Sequence, residues 1–143
     1  MLIRRASNQE LHFIQSYAPI VQQEATLGYM NGNAQMINYD MTQHYKGEYH
    51  VIVEKGVLCG WILIGETQMP YKEEVIGMIL ELYVLPRWRK HGCGEALMRY
   101  ALEICKKKGF GKVQLNVFAG NNAKKLYDKL GFHDVSTMME RNI

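Results

Sequence analysis

The residues best suited to chemistry form a short basic run with two glycines, residues 89–94 (RKHGCG). The run lies between an apolar segment typical of a strand and a segment with helical periodicity. The first N–H groups of a helix have no partner within the helix and lie at the positive end of its dipole. Gly92 and Gly94 would leave those groups accessible, and Arg89 and Lys90 add charge. The run predicts a pyrophosphate site, although a plain glycine-rich turn has the same composition.

Other chemical motifs fit the sequence less well. A dinucleotide fingerprint would need glycine at position 97, where Leu97 stands, and no Gly-Lys-Ser/Thr follows for a P-loop. No Gly-x-Ser-x-Gly element indicates a serine hydrolase. The three cysteines are widely spaced and form no CxxC pair, which argues against a disulfide framework or a metal site.

Strands are predicted upstream of the loop. Two apolar, β-branched runs flank Lys55-Gly56 from residue 49 to 68, as in a hairpin, and Val75–Val84 is a third strand that Pro86 stops. Met1–Arg5 is an opening strand. Residues 113–117 form a later strand, and residues 132–141 form a last one.

Helices are predicted between these strands. One is capped by Ser7 or Asn8, a second lies near residues 33–45, and a third follows the loop and ends at Gly109. A fourth is capped by Asn121 or Asn122. The order β α α β β β α β α β predicts an α+β fold with a mixed, mostly antiparallel sheet in a single domain spanning residues 1–143.

Composition narrows the function classes. The chain has 143 residues, 48% hydrophobic, with a net charge of +3. This charge falls short of the concentrated basic face of a nucleic-acid binder. No signal peptide is visible, and no apolar run approaches the roughly 18 residues of a membrane span. With unpaired cysteines, these features predict a cytoplasmic protein without membrane contact.

Two segments resemble the GNAT superfamily of acetyl-CoA-dependent N-acetyltransferases. LYVLPRWRKHGCGEALM is similar to its acetyl-CoA motif, whose core Arg/Gln-x-x-Gly-x-Gly/Ala is matched by Arg89, Gly92 and Gly94. VQLNVFAGNNAKKLYDKLGF resembles its second conserved block. The two blocks follow in the family's order across residues 79–132. The resemblance implies the GNAT fold and acetyl-CoA as co-substrate, with no metal.

The resemblance also implies how the cofactor binds. The end of the strand before the loop would bond the pantetheine arm through its backbone, and the loop would hold the pyrophosphate. Asn122 would bond the pantetheine or the thioester, and Lys124 or Lys125 would meet the 3′-phosphate. The predicted cofactor-binding residues are Leu82, Tyr83, Val84, Arg89, Lys90, His91, Gly92, Cys93, Gly94, Glu95, Ala96, Asn116, Asn122, Lys124 and Lys125.

Acetylation of an amine needs a base and an acid. A lysine-like amine has a pKa of about 10.4 and must lose a proton before it can attack. Glu81 is the candidate base, and a water chain could serve in its place; otherwise Glu81 is a solvent-facing or ion-paired strand carboxylate. Tyr127 matches the family's usual acid, but it shares an apolar helical face with Leu126 and Leu130 and could be a core tyrosine.

The acceptor and the biological role stay open at this point. Residues 19–47 and 66–74 are expected to shape the acceptor site, and the acceptor could be a small amine, a polyamine, an aminoglycoside or a protein N-terminus. The alternative is a non-catalytic acyl-CoA-binding sensor or regulatory module, and a third reading is a nucleic-acid binder. A homodimer could form through the C-terminal strand, since open sheet edges invite pairing.

Overall fold

The computed structural model describes residues 1–29 and 41–143. Within these ranges the elements are β1 (Leu2–Arg5), α1 (Asn8–Ala25), β2 (Glu48–Glu54), β3 (Val57–Gln68), β4 (Val75–Val84), a 3₁₀ turn (Pro86–Trp88), α2 (Cys93–Lys107), β5 (Val113–Leu115) and α3 (Ala123–Lys129). The five strands form one sheet in the order β1-β2-β3-β4-β5. The α+β prediction is therefore confirmed.

The sheet changes character at its β4–β5 edge. The pairs β1–β2, β2–β3 and β3–β4 are antiparallel, whereas β4 and β5 are parallel. The parallel pairing covers only Gly77–Ile79 of β4. From Leu80 to Val84, no strand of the described chain pairs with that side of β4. This half of β4 therefore has backbone N–H and C=O groups without a strand partner, of which the Val84 carbonyl accepts a hydrogen bond from Arg89 Nε at 2.9 Å.

Helices cover both faces of the sheet. On one face, α2 and α3 bury a cluster that includes Ile62, Leu97 and Tyr127. On the other, α1 buries a cluster that includes Ile14 and Trp61. We call these the α2 face and the α1 face. No helix in the described ranges is long and apolar enough to cross a membrane.

The start of α1 follows directly from local sequence. Ser7 is the cap residue: its hydroxyl accepts a hydrogen bond from the Glu10 N–H at 3.2 Å, and the Glu10 carboxylate accepts one from the Ser7 N–H at 2.8 Å. This is a capping box, worth about 1 kcal/mol to the helix. The Arg4 guanidinium holds the pKa of the Glu10 carboxyl low, at about 2. Of the two caps predicted, Ser7 is confirmed.

The predicted last strand, residues 132–141, is wrong. No strand follows α3, and Val135, Met138 and Met139 are 75%, 96% and 87% exposed. A strand needs a neighbour for its hydrogen bonds, and β5 offers only three residues. The homodimer was predicted to form through that strand. It stays a prediction, now without a strand to support it. The strand predicted over 113–117 is real but shorter. The helix near 33–45 falls largely outside the described residues, although residues 41–44 are helical.

One buried histidine joins the sheet to α2. His50 is 5% exposed, and its Nδ1 lies 2.8 Å from the Tyr100 hydroxyl. Its Nε2 lies 3.1 Å from the Glu48 carboxylate. A neutral ring with its proton on Nε2 satisfies both contacts, because Nδ1 then accepts from the tyrosine O–H. Burial lowers the pKa of His50, against the raising effect of Glu48.

This burial predicts acid sensitivity. Because the folded-state pKa of His50 lies below the ordinary value of 6.5, the unfolded chain takes up its proton at a higher pH than the folded chain does. The His50 contribution to stability is therefore complete above pH 6.5 and is lost as the pH falls below it. We expect the free energy of unfolding of His50→Gln to decline less than that of the wild type between about pH 7 and pH 5, measured by urea titration. The control is His12→Gln, at an exposed position on α1, which should decline as the wild type does; equal slopes in both variants would contradict the prediction.

Candidate active site

A β-bulge places Glu81. Leu63 of β3 pairs with Glu81 and the next residue, Ile64, pairs with Ile79, so that Leu80 is the extra residue on β4. Leu80 packs on the α1 face, and Glu81 contacts Trp61 on the same face. The bulge thus turns two consecutive side chains to one face. Bulges commonly redirect a side chain next to an active site in this way.

Glu81 lies in an aromatic surrounding. Trp61 Nε1 donates a hydrogen bond of 2.7 Å to its carboxylate, and the Trp61 ring lies 5.1 Å from the Tyr83 ring between centroids. Burial raises the pKa of Glu81 to about 7, against the lowering effect of the Trp61 bond. A carboxyl with this pKa exists in both protonation states near neutral pH. It is therefore suited to accept a proton from a substrate.

The loop before α2 has the backbone of an anion site. Lys90 and Gly92 adopt left-handed φ values of +64° and +82°. Cys93 begins α2 with its side chain 1% exposed. Among the described residues, no N–H from Gly92 to Glu95 donates to a backbone carbonyl, whereas the Ala96 N–H is already bonded to the Gly92 carbonyl at 3.0 Å. The loop therefore offers backbone donors up to Glu95.

The two loop glycines have different reasons to be glycine. Gly92 needs its φ of +82°, a conformation that disfavours any Cβ. A Cβ on Gly94 would meet only ordinary contacts, with Leu126 at 3.6 Å and Val84 at 3.9 Å. We expect Gly92→Ala to lower the free energy of unfolding by about 1–2 kcal/mol, and Gly94→Ala to raise it by up to about 1 kcal/mol because alanine favours helix. Chemical denaturation of the pair measures both; a loss of equal size in both variants would contradict this assignment.

The Arg89 side chain does not project over the loop, because it is bonded to neighbouring residues. Its Nε donates to the Val84 carbonyl at 2.9 Å, and its Nη2 pairs with the Glu24 carboxylate at 2.7 Å. Its guanidinium lies 5.2 Å from the centre of the Tyr83 ring. These contacts tie the end of α1 to the end of β4. Lys90 is then the cationic side chain left at the loop, and it is followed by His91, whose Nδ1 lies 2.7 Å from the Arg89 carbonyl.

The Glu95 carboxylate has a structural partner on each side. It pairs with Lys129 of α3 at 2.6 Å and with Arg99 of α2 at 3.0 Å. Both cations lower the pKa of Glu95, Lys129 the more. The side chain thus fastens α2 to α3. Its predicted role in cofactor binding therefore falls to its N–H.

The second conserved block contains two adjacent asparagines before α3, and their side chains make different contacts. Asn121 accepts a hydrogen bond from the Ala123 N–H at 2.9 Å, and its amide donates to the Ala25 carbonyl at 3.1 Å. Asn122 is the cap residue but makes no side-chain capping bond, which leaves its amide for a ligand. Lys124 pairs with Asp134 of the tail at 2.7 Å. The two other candidates of this region are both exposed: Lys125 on α3, and Asn116 directly after β5.

Tyr127 lies on the opposite face from Glu81. It is 9% exposed, belongs to the α2-face cluster and meets Phe132 edge-on, with 6.1 Å between ring centroids. Burial raises its pKa. Both the core and the acid interpretation are compatible with this position. The segment Leu80–Val84, which we call the open half of β4, has no strand of the described residues on one side. Groups from both faces of the sheet can therefore reach one ligand there.

Part of the predicted acceptor region can be placed. A surface cavity of about 330 Å³ lies near the start of β4, away from Glu81, and is lined by His44, Lys46, Glu66, Thr67, Gln68 and Val75. Residues 30–40 of the predicted acceptor region lie outside the described residues. No group of three or more metal-ligating side chains occurs in the described ranges.

Sequence reasoning missed the aromatic surrounding of Glu81. Trp61 was assigned only to a strand, and Tyr49 was expected only among the aromatic residues of the acceptor site, yet both lie on the α1 face beside the carboxylate. The pairing register of β2 and β3 is the feature from which their common face could have been predicted. Val51 pairs with Trp61 and Tyr49 with Leu63, so all four residues share one face of the hairpin.

Comparison with known proteins agrees with this arrangement. A sequence profile of the Acetyltransferase (GNAT) family matches residues 15–132. The chain belongs to the GNAT acetyltransferase family. The predicted resemblance is thereby confirmed.

Individual relatives are more distant. A protein of Bacillus subtilis (strain 168) named as a ribosomal protein bS18-alanine N-acetyltransferase is 30% identical over 98 residues, which span 65% of this chain and 58% of that protein. A solved structure named as an acetyl transferase from Pyrococcus furiosus superposes with a TM-score of 0.83 at 21% identity over 99% of both chains. A transcriptional regulator from Bacillus halodurans C-125 superposes with a TM-score of 0.75 at 19% identity, again over 99% of both. These two structures support the fold alone.

Proposed function

We propose that this protein transfers the acetyl group of acetyl-CoA to a primary amine by direct attack of the amine on the thioester. The observation that carries the proposal is the open half of β4, which leads into the loop of free N–H groups and carries Glu81. Family membership supports the use of acetyl-CoA.

The chain's own groups suit the cofactor. Backbone N–H groups from Gly92 to Glu95 would donate to the pyrophosphate, with charge from Lys90 and the polar ring of His91 beside it. The free edge of β4 would bond the amides of the pantetheine arm, and the unused Asn122 amide would add a further bond. The Val84 carbonyl can accept from the cofactor as well as from Arg89, because a carbonyl oxygen has two lone pairs.

The reaction removes two protons from the acceptor nitrogen and adds one to the leaving sulfur. Glu81 takes the first proton from the acceptor ammonium, and the neutral nitrogen attacks the thioester carbonyl carbon to form a tetrahedral intermediate. The nitrogen of that intermediate releases its second proton to solvent, and collapse then breaks the C–S bond, releases the amide and leaves a thiolate. Tyr127 would give its phenolic proton to that sulfur and recover a proton from solvent afterwards.

We propose the α-amine of a protein N-terminus that begins with alanine as the first acceptor to test. The support is the name of the Bacillus subtilis relative, with which this chain shares 30% identity. An exposed, extended terminus presents an unhindered α-amine that can reach Glu81, while the open edge of β4 is left to the pantetheine arm.

Isothermal titration with acetyl-CoA, with ATP and NAD as controls, tests the cofactor. We expect selective binding at micromolar strength or tighter, about −8 kcal/mol. Thiol release would then be followed with an alanine-initiated peptide, its N-terminally blocked form, a polyamine and an aminoglycoside. Binding without turnover of any of these amines would favour the sensor alternative. Absence of binding, with mass spectrometry excluding retained CoA, would overturn the proposal.

A further inference from the structure

Two tyrosine hydroxyls on the α1 face are buried without a hydrogen-bond partner in the described chain, those of Tyr49 and Tyr83. Their residues are 8% and 5% exposed. Leaving a buried hydroxyl unpaired costs about 1–3 kcal/mol. Within residues 1–29 and 41–143, such a group beside a candidate catalytic carboxyl is therefore suited to bind a water or a ligand atom.

The Tyr49 side chain lies on the same face of the sheet as Glu81. Tyr49 pairs with Leu63, and Leu63 pairs with Glu81, so the three residues form one row across β2, β3 and β4 on the same face. Burial and, after it, the charge of Glu81 raise the pKa of Tyr49. The phenol therefore stays protonated and can donate. No direct hydrogen bond joins the two groups, and a polar gap of this kind is commonly bridged by one water.

The Tyr83 hydroxyl has different neighbours. Burial, the charge of the Glu24 carboxylate and the close approach of that carboxylate to the hydroxyl raise the pKa of Tyr83 to about 12, and Arg89 lies over its ring. The Tyr83 hydroxyl therefore faces the end of α1, where the Glu24 carboxylate is an acceptor within reach. Of the two hydroxyls, only that of Tyr49 lies beside the candidate base.

We propose that Tyr49 is a positioning residue for proton removal, holding with Glu81 one water that carries the proton from the acceptor amine to the Glu81 carboxylate. The inference rests on the proposed acetyltransferase function. It assigns a role to a side chain that neither conserved block contains.

The bonding capacity of one water fits this role. One lone pair accepts the Tyr49 O–H, and one hydrogen is donated to the Glu81 carboxylate. The remaining lone pair faces the acceptor ammonium. When the ammonium proton moves to the water, the water's own proton moves to Glu81, so charge and atoms balance and Tyr49 stays protonated throughout. Without the phenol, the water has no fixed orientation.

Turnover of Tyr49→Phe and Glu81→Gln, singly and combined, tests the relay. We expect Tyr49→Phe to lower kcat by about tenfold or more, with an unchanged Kd for acetyl-CoA, and to have almost no further effect in the Glu81→Gln background. Independent, multiplying losses would overturn the relay, because two residues that act through one water cannot contribute separately.

A second measurement needs no acceptor and separates this inference from the proposed function. The carboxyl carbon of Glu81 is titrated by NMR in the free wild-type protein, in Tyr49→Phe and in Tyr100→Phe. Tyr100 is the control, since it bonds His50 on the α2 face. The other ionisable groups packed on the α1 face are the same in all three proteins: Tyr17, Glu24, Tyr83 and Arg89.

Loss of the bridging water should disfavour the charged carboxylate. We expect the pKa of Glu81 to rise by about half a unit or more in Tyr49→Phe and to stay constant in Tyr100→Phe. A rise without turnover of any amine by the wild type would support the Tyr49–Glu81 coupling and reject the acetyltransferase. An unchanged pKa in well-folded Tyr49→Phe would overturn the inference, whatever the activity.

Discussion

Replacing Glu81 with Gln is expected to lower kcat/KM for acetyl transfer by about 10²- to 10⁴-fold, the range that positioned general bases contribute. The Kd for acetyl-CoA should stay unchanged, because the carboxylate acts on the amine. In the wild type, kcat/KM should rise with pH through the Glu81 pKa of about 7, since only the ionised form accepts a proton. Glu81→Gln should lose that step in its pH–rate profile.

The same substitution should make the protein more stable in alkali. The folded-state pKa of Glu81 lies above its ordinary value of 4.5, so its favourable contribution is present below pH 4.5 and is lost as the pH rises through about 7. Above that pH the fold holds a half-buried carboxylate whose surroundings are mainly apolar. Glutamine stays neutral, and its carbonyl oxygen can still accept the Trp61 N–H. We expect a gain on the order of 2 kcal/mol near pH 8, measured by chemical denaturation.

The exposed Glu103 of α2 supplies the matched control. Glu103→Gln makes the same chemical change on a solvent-facing helix position and should alter neither turnover nor the pH dependence of stability. A protein that gains stability and loses activity through one substitution carries an unfavourable group for the sake of function. Full activity in Glu81→Gln would show that another group, or water alone, removes the proton.

The sequence predicted the parts of this site that depend on local pattern. The strand, loop and helix from Val75 to Lys107 follow from an apolar run that Pro86 stops, two glycines and a single apolar helix face. The bulge at Leu80 does not follow, because a period of two assigns Leu80 and Glu81 to opposite faces. Only the pairing with β3 shows that both face α1.

Contacts between residues far apart in the sequence explain the remaining differences between the predicted and the observed structure. Arg89 was expected on the phosphates, yet its guanidinium pairs with Glu24, a residue 65 positions away that no local motif connects to it. The tail was expected to be a strand because its composition allows one. Whether a segment becomes a strand depends on a free neighbouring edge, and no pattern within residues 132–141 reports on that edge.

Replacing Tyr127 with Phe separates the two interpretations of this residue. The ring supplies its contacts with the α2-face cluster, and phenylalanine keeps them. A core role therefore predicts nearly unchanged stability and turnover. An acid role predicts a loss of kcat of about 10²-fold at neutral pH with unchanged acetyl-CoA affinity. Tyr127→Ala would not decide the question, since an emptied aromatic site costs about 3–5 kcal/mol and would disturb the whole face.

The pH dependence of that loss makes the test sharper. An acid is needed only while the departing sulfur takes up a proton, and a cysteine-like thiol has a pKa of about 8.5. The deficit of Tyr127→Phe should therefore shrink above about pH 9, where the thiolate leaves and stays unprotonated. Tyr100→Phe, which removes a hydroxyl on the same face but outside the site, should show no such trend. A deficit that is constant with pH would mean that the Tyr127 hydroxyl orients the thioester without donating its proton, because a purely geometric role does not follow the protonation of the leaving group.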